Sequence, residues 1–130
     1  SSPEMWRDIS LANRDALLIE MKRYEDQIDE MRAALEANDG KRLEEIFDTA
    51  RTARRAWQAT LQREYDAFCA RVDAGADTLL DPYAAEAPEE YFAVASEAFF
   101  VAPLDLRHEQ PDTYALLAGY YRQDPAVRQR

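Results

Sequence analysis

The chain is poor in cysteine and histidine, with one of each among its 130 residues. A single cysteine excludes an internal disulfide framework, and one histidine beside it excludes an ordinary structural zinc site. No apolar run approaches the roughly 18–20 residues of a membrane-spanning helix, and the first residues lack a basic and then apolar signal pattern. We therefore expect a cytoplasmic protein that does not enter a membrane.

Positive charge is also scarce, because 16 Lys and Arg residues stand against 26 Asp and Glu residues, for a net charge of −10. Nucleic acids and anionic membranes are bound through clustered Lys and Arg, so this balance argues against both partners. The length suits one domain, or two small ones that share a core. A chain of this size buries roughly two-thirds of its unfolded surface, which is enough to fold without disulfides or metals.

Helix-breaking residues are rare in the first eighty positions, since five of the six prolines follow Leu80. A first helix is predicted from Ser2, a good N-cap, and from Pro3 at the first helical position. Its apolar side chains then alternate at spacings of four and three, at Leu17, Met21, Tyr24, Ile28, Met31 and Leu35. This heptad pattern requires a partner helix.

A turn is predicted at Asn38-Asp39-Gly40, between a helix at 3–37 and a second helix at 40–74. The second helix has no glycine or proline from Lys41 to Ala74, and at 1.5 Å per residue it forms a rod of about 50 Å. Because the turn is short, the two helices are expected to form a long antiparallel hairpin.

Two shorter helices are predicted after Gly75. One begins at Pro88 and covers 88–101; it is apolar nearly all round and is therefore expected to be buried, and Pro103 ends it. The other begins at a further proline and covers 111–122. The expected fold class is all-α and helical-bundle-like, a long hairpin with two shorter helices.

The single histidine begins the segment His108-Glu109-Gln110-Pro111-Asp112, which starts like the zinc-binding motif H-E-x-x-H. Pro111 breaks the helix that must bring both ligands to one face, and Asp112 stands in place of the second histidine. We therefore interpret His108 as an exposed residue before the next helix and not as a metal ligand.

Three further groups have a structural interpretation that we favour over a catalytic one. Cys69 lies on the second helix with no histidine nearby in sequence, which is typical of a core thiol. Glu90 and Glu97 share a helix face, a spacing that allows an acid–base pair but more often belongs to a solvated surface. The aromatic residues of the third helix are expected in the core and not in a ligand cage; they are Tyr91, Phe92, Phe99 and Phe100.

Several motifs of the first half resemble one enzyme family. They are Pro3-Glu4-Met5-Trp6-Arg7-Asp8-Ile9, Leu11-Ala12-Asn13-Arg14, Glu36-Ala37-Asn38-Asp39-Gly40 and the helix 50–57. Through them, residues 3–58 are similar to the C-terminal dimerisation domain of bacterial prephenate dehydrogenases of tyrosine biosynthesis. The resemblance implies self-association. That family's nucleotide-binding domain, catalytic histidine and substrate-binding arginine lie upstream of this region, and no Gly-rich nucleotide-binding motif occurs here.

Motifs of the second half resemble a different family. They are Leu79-Leu80-Asp81-Pro82-Tyr83, the helix sequence from Pro88 to Phe100, and Tyr120-Tyr121-Arg122-Gln123-Asp124-Pro125. Residues 61–125 are thereby similar to the C-terminal end of zinc metallopeptidases of the Mlc titration factor A type. The resemblance places Glu90 at the third zinc ligand and Tyr83 at a tyrosine that assists the transition state. The other ligands and the general base belong to an H-E-x-x-H helix that this sequence does not contain.

The two resemblances meet near Trp57–Gln62, inside the second predicted helix. We therefore predict two segments, 1–59 and 60–130, joined through one continuous helix at about 40–74. Natural domain boundaries are usually exposed, polar and flexible. An uninterrupted helix at the join favours an engineered chimera of native helical fragments, with a natural gene fusion as the alternative.

These observations predict a non-catalytic structural or dimerisation protein whose partner is a second copy of itself. No cofactor, metal or small-molecule substrate is expected, and Tyr83 and Glu90 are vestigial candidates for a catalytic residue and a metal ligand. One alternative is a metallopeptidase remnant that still binds metal at Glu90. Another is a regulatory or dimerisation module of prephenate dehydrogenase, in which Trp6, Arg7 and Asn13 line a site completed by another chain.

Overall fold

The computed structural model describes residues 2–128, and every regular element in that range is a helix, as the predicted all-α class requires. The outer ends of the two predicted segments, Ser1, Gln129 and Arg130, lie outside the described residues. None of the described helices is long and apolar enough to span a bilayer. The helices are α1 (Pro3–Ala12), α2 (Arg14–Glu36), α3 (Gly40–Asp73), α4 (Pro88–Val101), α5 (Pro103–Glu109), α6 (Pro111–Tyr121) and α7 (Pro125–Arg128), with a 3-10 helix at Pro82–Ala85.

The chain divides into two compact units after Arg51. The first unit holds α1, α2 and the start of α3, and the helix predicted over 3–37 is split here at Asn13. The backbone of Asn13 leaves the helical region, with φ −106° and ψ 17°, and its side-chain amide donates to the carbonyl oxygen of Ile9 at 2.9 Å. Asparagine competes in this way for backbone hydrogen bonds, so it favours helix ends over helix interiors.

The predicted turn between the two arms of the hairpin forms at Asn38. Its φ of 51° is the left-handed conformation that asparagine tolerates better than most residues. The Asp39 carboxylate accepts a hydrogen bond from the backbone N–H of Arg42 at 3.0 Å, which satisfies one of the free donors at the start of α3. Arg42 also forms an ion pair with Glu30 of α2, so the turn is fixed from both sides.

The heptad pattern of α2 is left largely uncovered in a single chain. We call its six apolar residues the α2 seam; they are Leu17, Met21, Tyr24, Ile28, Met31 and Leu35. Five of the six are between 43% and 66% exposed, and Met31 is partly buried. Ala34 is the only buried residue of this fully described helix. The first unit therefore does not supply the partner that the heptad pattern requires.

The second unit folds around side chains from α3, the 3-10 helix, α4, α5 and α6. The largest of those with almost no exposure are Phe68, Leu80, Tyr91, Phe99, Leu106 and Leu117. The ring centroids of Phe68 and Tyr91 are 5.3 Å apart, a distance at which aromatic rings attract each other. The predicted burial of α4 is confirmed at these positions, although Phe100 at its end is 45% exposed.

The sequence pattern does not predict α5. Pro103 ends α4, as expected, but it also starts the next helix, because proline has no N–H to lose at the first helical position. Each of the six prolines is the first residue of a helix: Pro3, Pro82, Pro88, Pro103, Pro111 and Pro125. The helix predicted at 111–122 ends one residue earlier, where Arg122 takes a left-handed conformation with φ 52°.

A buried network of hydrogen bonds holds α3 to α4 and α6. The Tyr91 hydroxyl lies 2.8 Å from Gln110 Oε1 and 2.7 Å from Thr113 Oγ1. The Thr113 hydroxyl donates to Glu64 Oε2 of α3 at 3.0 Å. Burial raises the pKa of Tyr91 to about 12, so the phenol keeps its proton and can donate. The network therefore fixes the position of the Glu64 carboxylate on α3 relative to α4 and α6.

The predicted join lies within α3, which runs without interruption from Gly40 to Asp73. The Thr60 hydroxyl donates to the carbonyl oxygen of Ala56 at 3.1 Å, a local bond within the helix. One turn earlier, Trp57 packs against Phe92 of α4 and Tyr120 of α6, with ring centroids 5.7 and 5.2 Å away. The helix around the join is thus packed within the second unit.

Thr60→Pro tests whether α3 needs to be continuous at the join. Proline removes one intrahelical hydrogen bond and clashes with the preceding turn, so the free energy of unfolding should fall by about 3 kcal/mol or more. Thr60→Ala is the matched control, because it removes only the hydroxyl bond and should change stability by less than about 1 kcal/mol. Urea unfolding followed by circular dichroism measures both. Equal stability of the two variants would show that α3 is already broken at this point.

Candidate functional site

The residue that resembles a catalytic tyrosine lies on the short 3-10 helix before α4. Asp81 begins this helix, and its carboxylate accepts a hydrogen bond from the backbone N–H of Tyr83 at 2.9 Å. Ala84 is fully buried beneath the turn. Because the backbone is fixed from both sides, the Tyr83 side chain projects from a rigid support and is 53% exposed.

Glu90 lies in the first turn of α4, where the helix dipole favours a negative charge. The charge of this carboxylate, and then the hydrogen bond that joins it to the Tyr83 hydroxyl, raise the pKa of Tyr83 above its ordinary value. Burial and Glu86 add smaller contributions in the same direction. The structure therefore brings together the two residues singled out from the sequence, seven positions apart, as a neutral phenol beside a carboxylate.

The sequence that carries this pair is similar to known proteins. A model of the glucose-regulated metallo-peptidase M90 family matches residues 28–122, which is most of the chain. The chain belongs to this family. Both Tyr83 and Glu90 lie within the range that the M90 model matches, together with every buried core residue of the second unit except Ala126.

The M90 relatives are much longer than the stretch they share with this chain. Mlc titration factor A of Pectobacterium atrosepticum is 43% identical over 74 residues, which cover 55% of this chain and 28% of that protein. The protein of the same name from Edwardsiella ictaluri is 43% identical over 77 residues, covering 56% and 29%. An uncharacterised protein of Synechocystis sp. is 34% identical over 71 residues, covering 55% and 26%. The chain thus spans less than a third of the length of these relatives.

The first half is similar to a second family. A model of the prephenate dehydrogenase dimerization domain matches residues 1–49, so the two-fragment resemblance predicted from the motifs is confirmed. The two matched ranges overlap at residues 28–49, which form the second half of α2 and the start of α3. A boundary between residues 59 and 60 stays a prediction. No solved structure matches the chain.

Zinc is the metal that membership of a metallopeptidase family implies, and the donor set of this chain does not fit it. Among residues 2–128, no three His, Cys, Asp or Glu side chains come close enough to share one metal ion. A catalytic zinc takes about three protein ligands. Glu90 is paired with a phenol instead, and Glu97 lies exposed further along the same helix. No second donor therefore supports Glu90 as a metal ligand, and nothing in this arrangement supports Glu90 and Glu97 as an acid–base pair.

His108 lies in the last turn of α5 and is exposed. Asp112 lies on the next helix, beyond Pro111, so the two side chains of the apparent motif do not share a helix. The neighbouring Glu109 has a structural role, because its two carboxylate oxygens accept from the backbone N–H of Leu79 at 3.1 and 2.8 Å. The segment around His108 thus ties a loop to α5.

Cys69 is half-buried, so it is less buried than the predicted core thiol. Its sulfur lies 3.7 Å from the carbonyl oxygen of Ala85, and the Tyr65 hydroxyl donates to the same oxygen at 2.8 Å. The contact with Cys69 is the main cause that raises the pKa of Tyr65. Both side chains hold the 3-10 helix that carries Tyr83 against α3.

The residues proposed to line a prephenate dehydrogenase site are engaged locally in α1. Arg7 forms an ion pair with its neighbour Asp8 at 2.8 Å, and the side-chain amide of Asn13, which follows the last residue of α1, donates to the carbonyl oxygen of Ile9. Trp6 is 56% exposed. These contacts do not bring the three side chains together into a pocket.

Glu90→Gln tests the contact between the phenol and the carboxylate. The substitution removes the charge that disfavours the phenolate, so the pKa of Tyr83 should fall towards its ordinary value. NMR titration of the tyrosine ring carbons measures this shift, with Tyr83→Phe used to assign the signal. Glu97→Gln on the same helix is the matched control and should leave the titration unchanged. An unaltered pKa of Tyr83 in Glu90→Gln would show that the two groups do not interact.

Proposed function

We propose that this chain acts as a self-associating helical module whose partner is a second copy of itself. The observation that carries the proposal is the α2 seam, which presents a continuous apolar face to solvent. Helix α1 adds exposed apolar side chains at Met5, Trp6, Ile9 and Leu11, between 42% and 64% exposed. Removing apolar surface from water stabilises association by about 25 cal/mol per Å². In a single chain this surface stays exposed to solvent.

The similarity of residues 1–49 to a dimerization domain supports the same proposal. A homodimer in which two α2 helices meet supplies the partner that a heptad pattern requires. The chain is strongly acidic overall, so binding of nucleic acid is not part of the proposal. A cytoplasmic location and the absence of a small-molecule substrate stay predictions.

The proposal includes the absence of catalysis by these 130 residues on their own. Its support is chemical, because the sequence contains one histidine and no three potential metal ligands come together among residues 2–128. The proposal also holds that the chain is a chimera, engineered from two helical fragments. Two family resemblances on one chain support it, as does the absence of a flexible linker within α3.

A second candidate is a metallopeptidase remnant in which Glu90 still binds metal, with further ligands supplied across a dimer. It is favoured by one observation, the contact between Tyr83 and Glu90. That contact places a phenol proton beside a carboxylate, an arrangement that can stabilise charge near a bound group. The candidate requires donors that this chain does not assemble by itself.

Ile28→Glu tests the dimer interface. It places a carboxylate in the middle of the α2 seam, and burying an unpaired charge costs several kcal/mol, so association should weaken by at least about 100-fold. Ile19→Glu is the matched control, because it introduces the same charge on the opposite face of α2, where the wild-type isoleucine is 63% exposed. Sedimentation equilibrium gives both dissociation constants. A wild-type monomer at all concentrations, or equal effects of the two variants, would contradict the proposal.

Zinc binding separates the two candidate functions. For the self-associating module we expect no stoichiometric uptake in equilibrium dialysis, because one carboxylate without imidazole or thiolate partners holds zinc weakly. Stoichiometric uptake by the wild-type chain that Glu90→Ala abolishes would instead support the metallopeptidase remnant. Glu97→Ala serves as the control for a general loss of negative charge on α4.

A further inference from the structure

The α2 seam is symmetric about its own middle. Counting outwards from Asp26, its residues lie at equal steps on either side: Tyr24 and Ile28, then Met21 and Met31, then Leu17 and Leu35. A second copy running in the opposite direction therefore meets each seam residue with another seam residue. In heptad terms every layer pairs an a position with a d position, which is how antiparallel helices interlock.

We infer that two copies of this chain associate through an antiparallel pair of α2 helices, with the two-fold axis at the level of Asp26. The inference rests on the proposed self-association and specifies its geometry. In this arrangement Leu17 of one chain contacts Leu35 of the other, and Tyr24 contacts Ile28. The interface is isologous, so it closes at two copies and leaves no free end for further addition.

The distribution of charge along α2 favours this direction over a parallel one. Residues 14–24 carry three basic and two acidic side chains, whereas residues 25–36 carry one basic and five acidic ones. An antiparallel pair places each acidic half beside the less acidic half of the other copy. A parallel pair in register places the two strongly acidic halves side by side, which is repulsive.

Individual charges and the helix dipoles also favour the antiparallel arrangement. With the axis at Asp26, Lys22 lies level with Glu30 of the second copy, and Arg23 lies level with Asp29. Each attraction occurs twice by symmetry. The dipoles of antiparallel helices also attract each other, since the positive end of one lies beside the negative end of the other.

Cysteine cross-linking tests the direction in the full chain, with Cys69→Ala as the background. Chains carrying Leu17→Cys are mixed with chains carrying Leu35→Cys and oxidised. The antiparallel pair predicts a covalent dimer in the mixture and none in either variant alone, because the two copies of residue 17 are separated by about 27 Å along the helix. A parallel pair in register gives the reverse result, and that result would overturn the inference.

A second position leaves the apolar seam intact. Gln27 lies beside the axis, so Gln27→Cys should cross-link to its own copy with a short bismaleimide in the antiparallel pair. Light scattering on each variant before cross-linking shows whether a dimer forms at all. It therefore separates failure of the antiparallel geometry from failure of the proposed function. A dimer that gives neither cross-link overturns the antiparallel geometry but keeps the proposed function, whereas a monomer in the wild-type chain rejects the proposed function itself.

Discussion

The second unit depends on the contact between α3 and α4 at Phe68 and Tyr91. Both side chains are fully buried, and their rings pack 5.3 Å apart. The Tyr91 hydroxyl then extends this apolar contact into a polar one, through Thr113 to Glu64. Apolar burial supplies most of the stability, while the hydroxyl network fixes the angle and register, because each buried polar group accepts only one set of partners. The position of Tyr83 and Glu90 follows, since the 3-10 helix and α4 are held against the same face of α3.

Much of this fold could be predicted from the sequence because its signals are local. The hairpin turn at Asn38 and the starts of α4 and α6 depend on neighbouring residues alone, through capping and through proline at the first helical position. The same local reasoning fails at two points. Asn13 divides the predicted first helix before its periodic part begins, and Pro103 both ends one helix and begins another. A breaker residue in a sequence marks a boundary, but it does not say whether loop or helix follows.

The candidate site also has a part that could be predicted from the sequence and a part that could not. Tyr83 and Glu90 could be singled out by resemblance, and their spacing of seven residues across a turn brings them into contact. The buried network could not be found, because Glu64, Tyr91 and Thr113 are far apart in sequence and have no motif. Gln110 is also buried, and its Nε2 has no hydrogen-bond partner among the described residues; a sequence pattern gives no sign of such a group. Networks of this kind depend on tertiary packing and become visible only when the helices are in place.

The exposed α2 seam has a consequence for how the two units melt. Isolated helices of this length are marginal in water unless an apolar face is covered, and α2 buries only Ala34 within its own unit. In the proposed dimer the first unit gains its order by mass action, so its melting temperature should rise with protein concentration, whereas the melting of the second unit's aromatic core should not depend on dilution. The proposal thus divides the chain into a part that is stable as a monomer and a part that is stable only in the dimer.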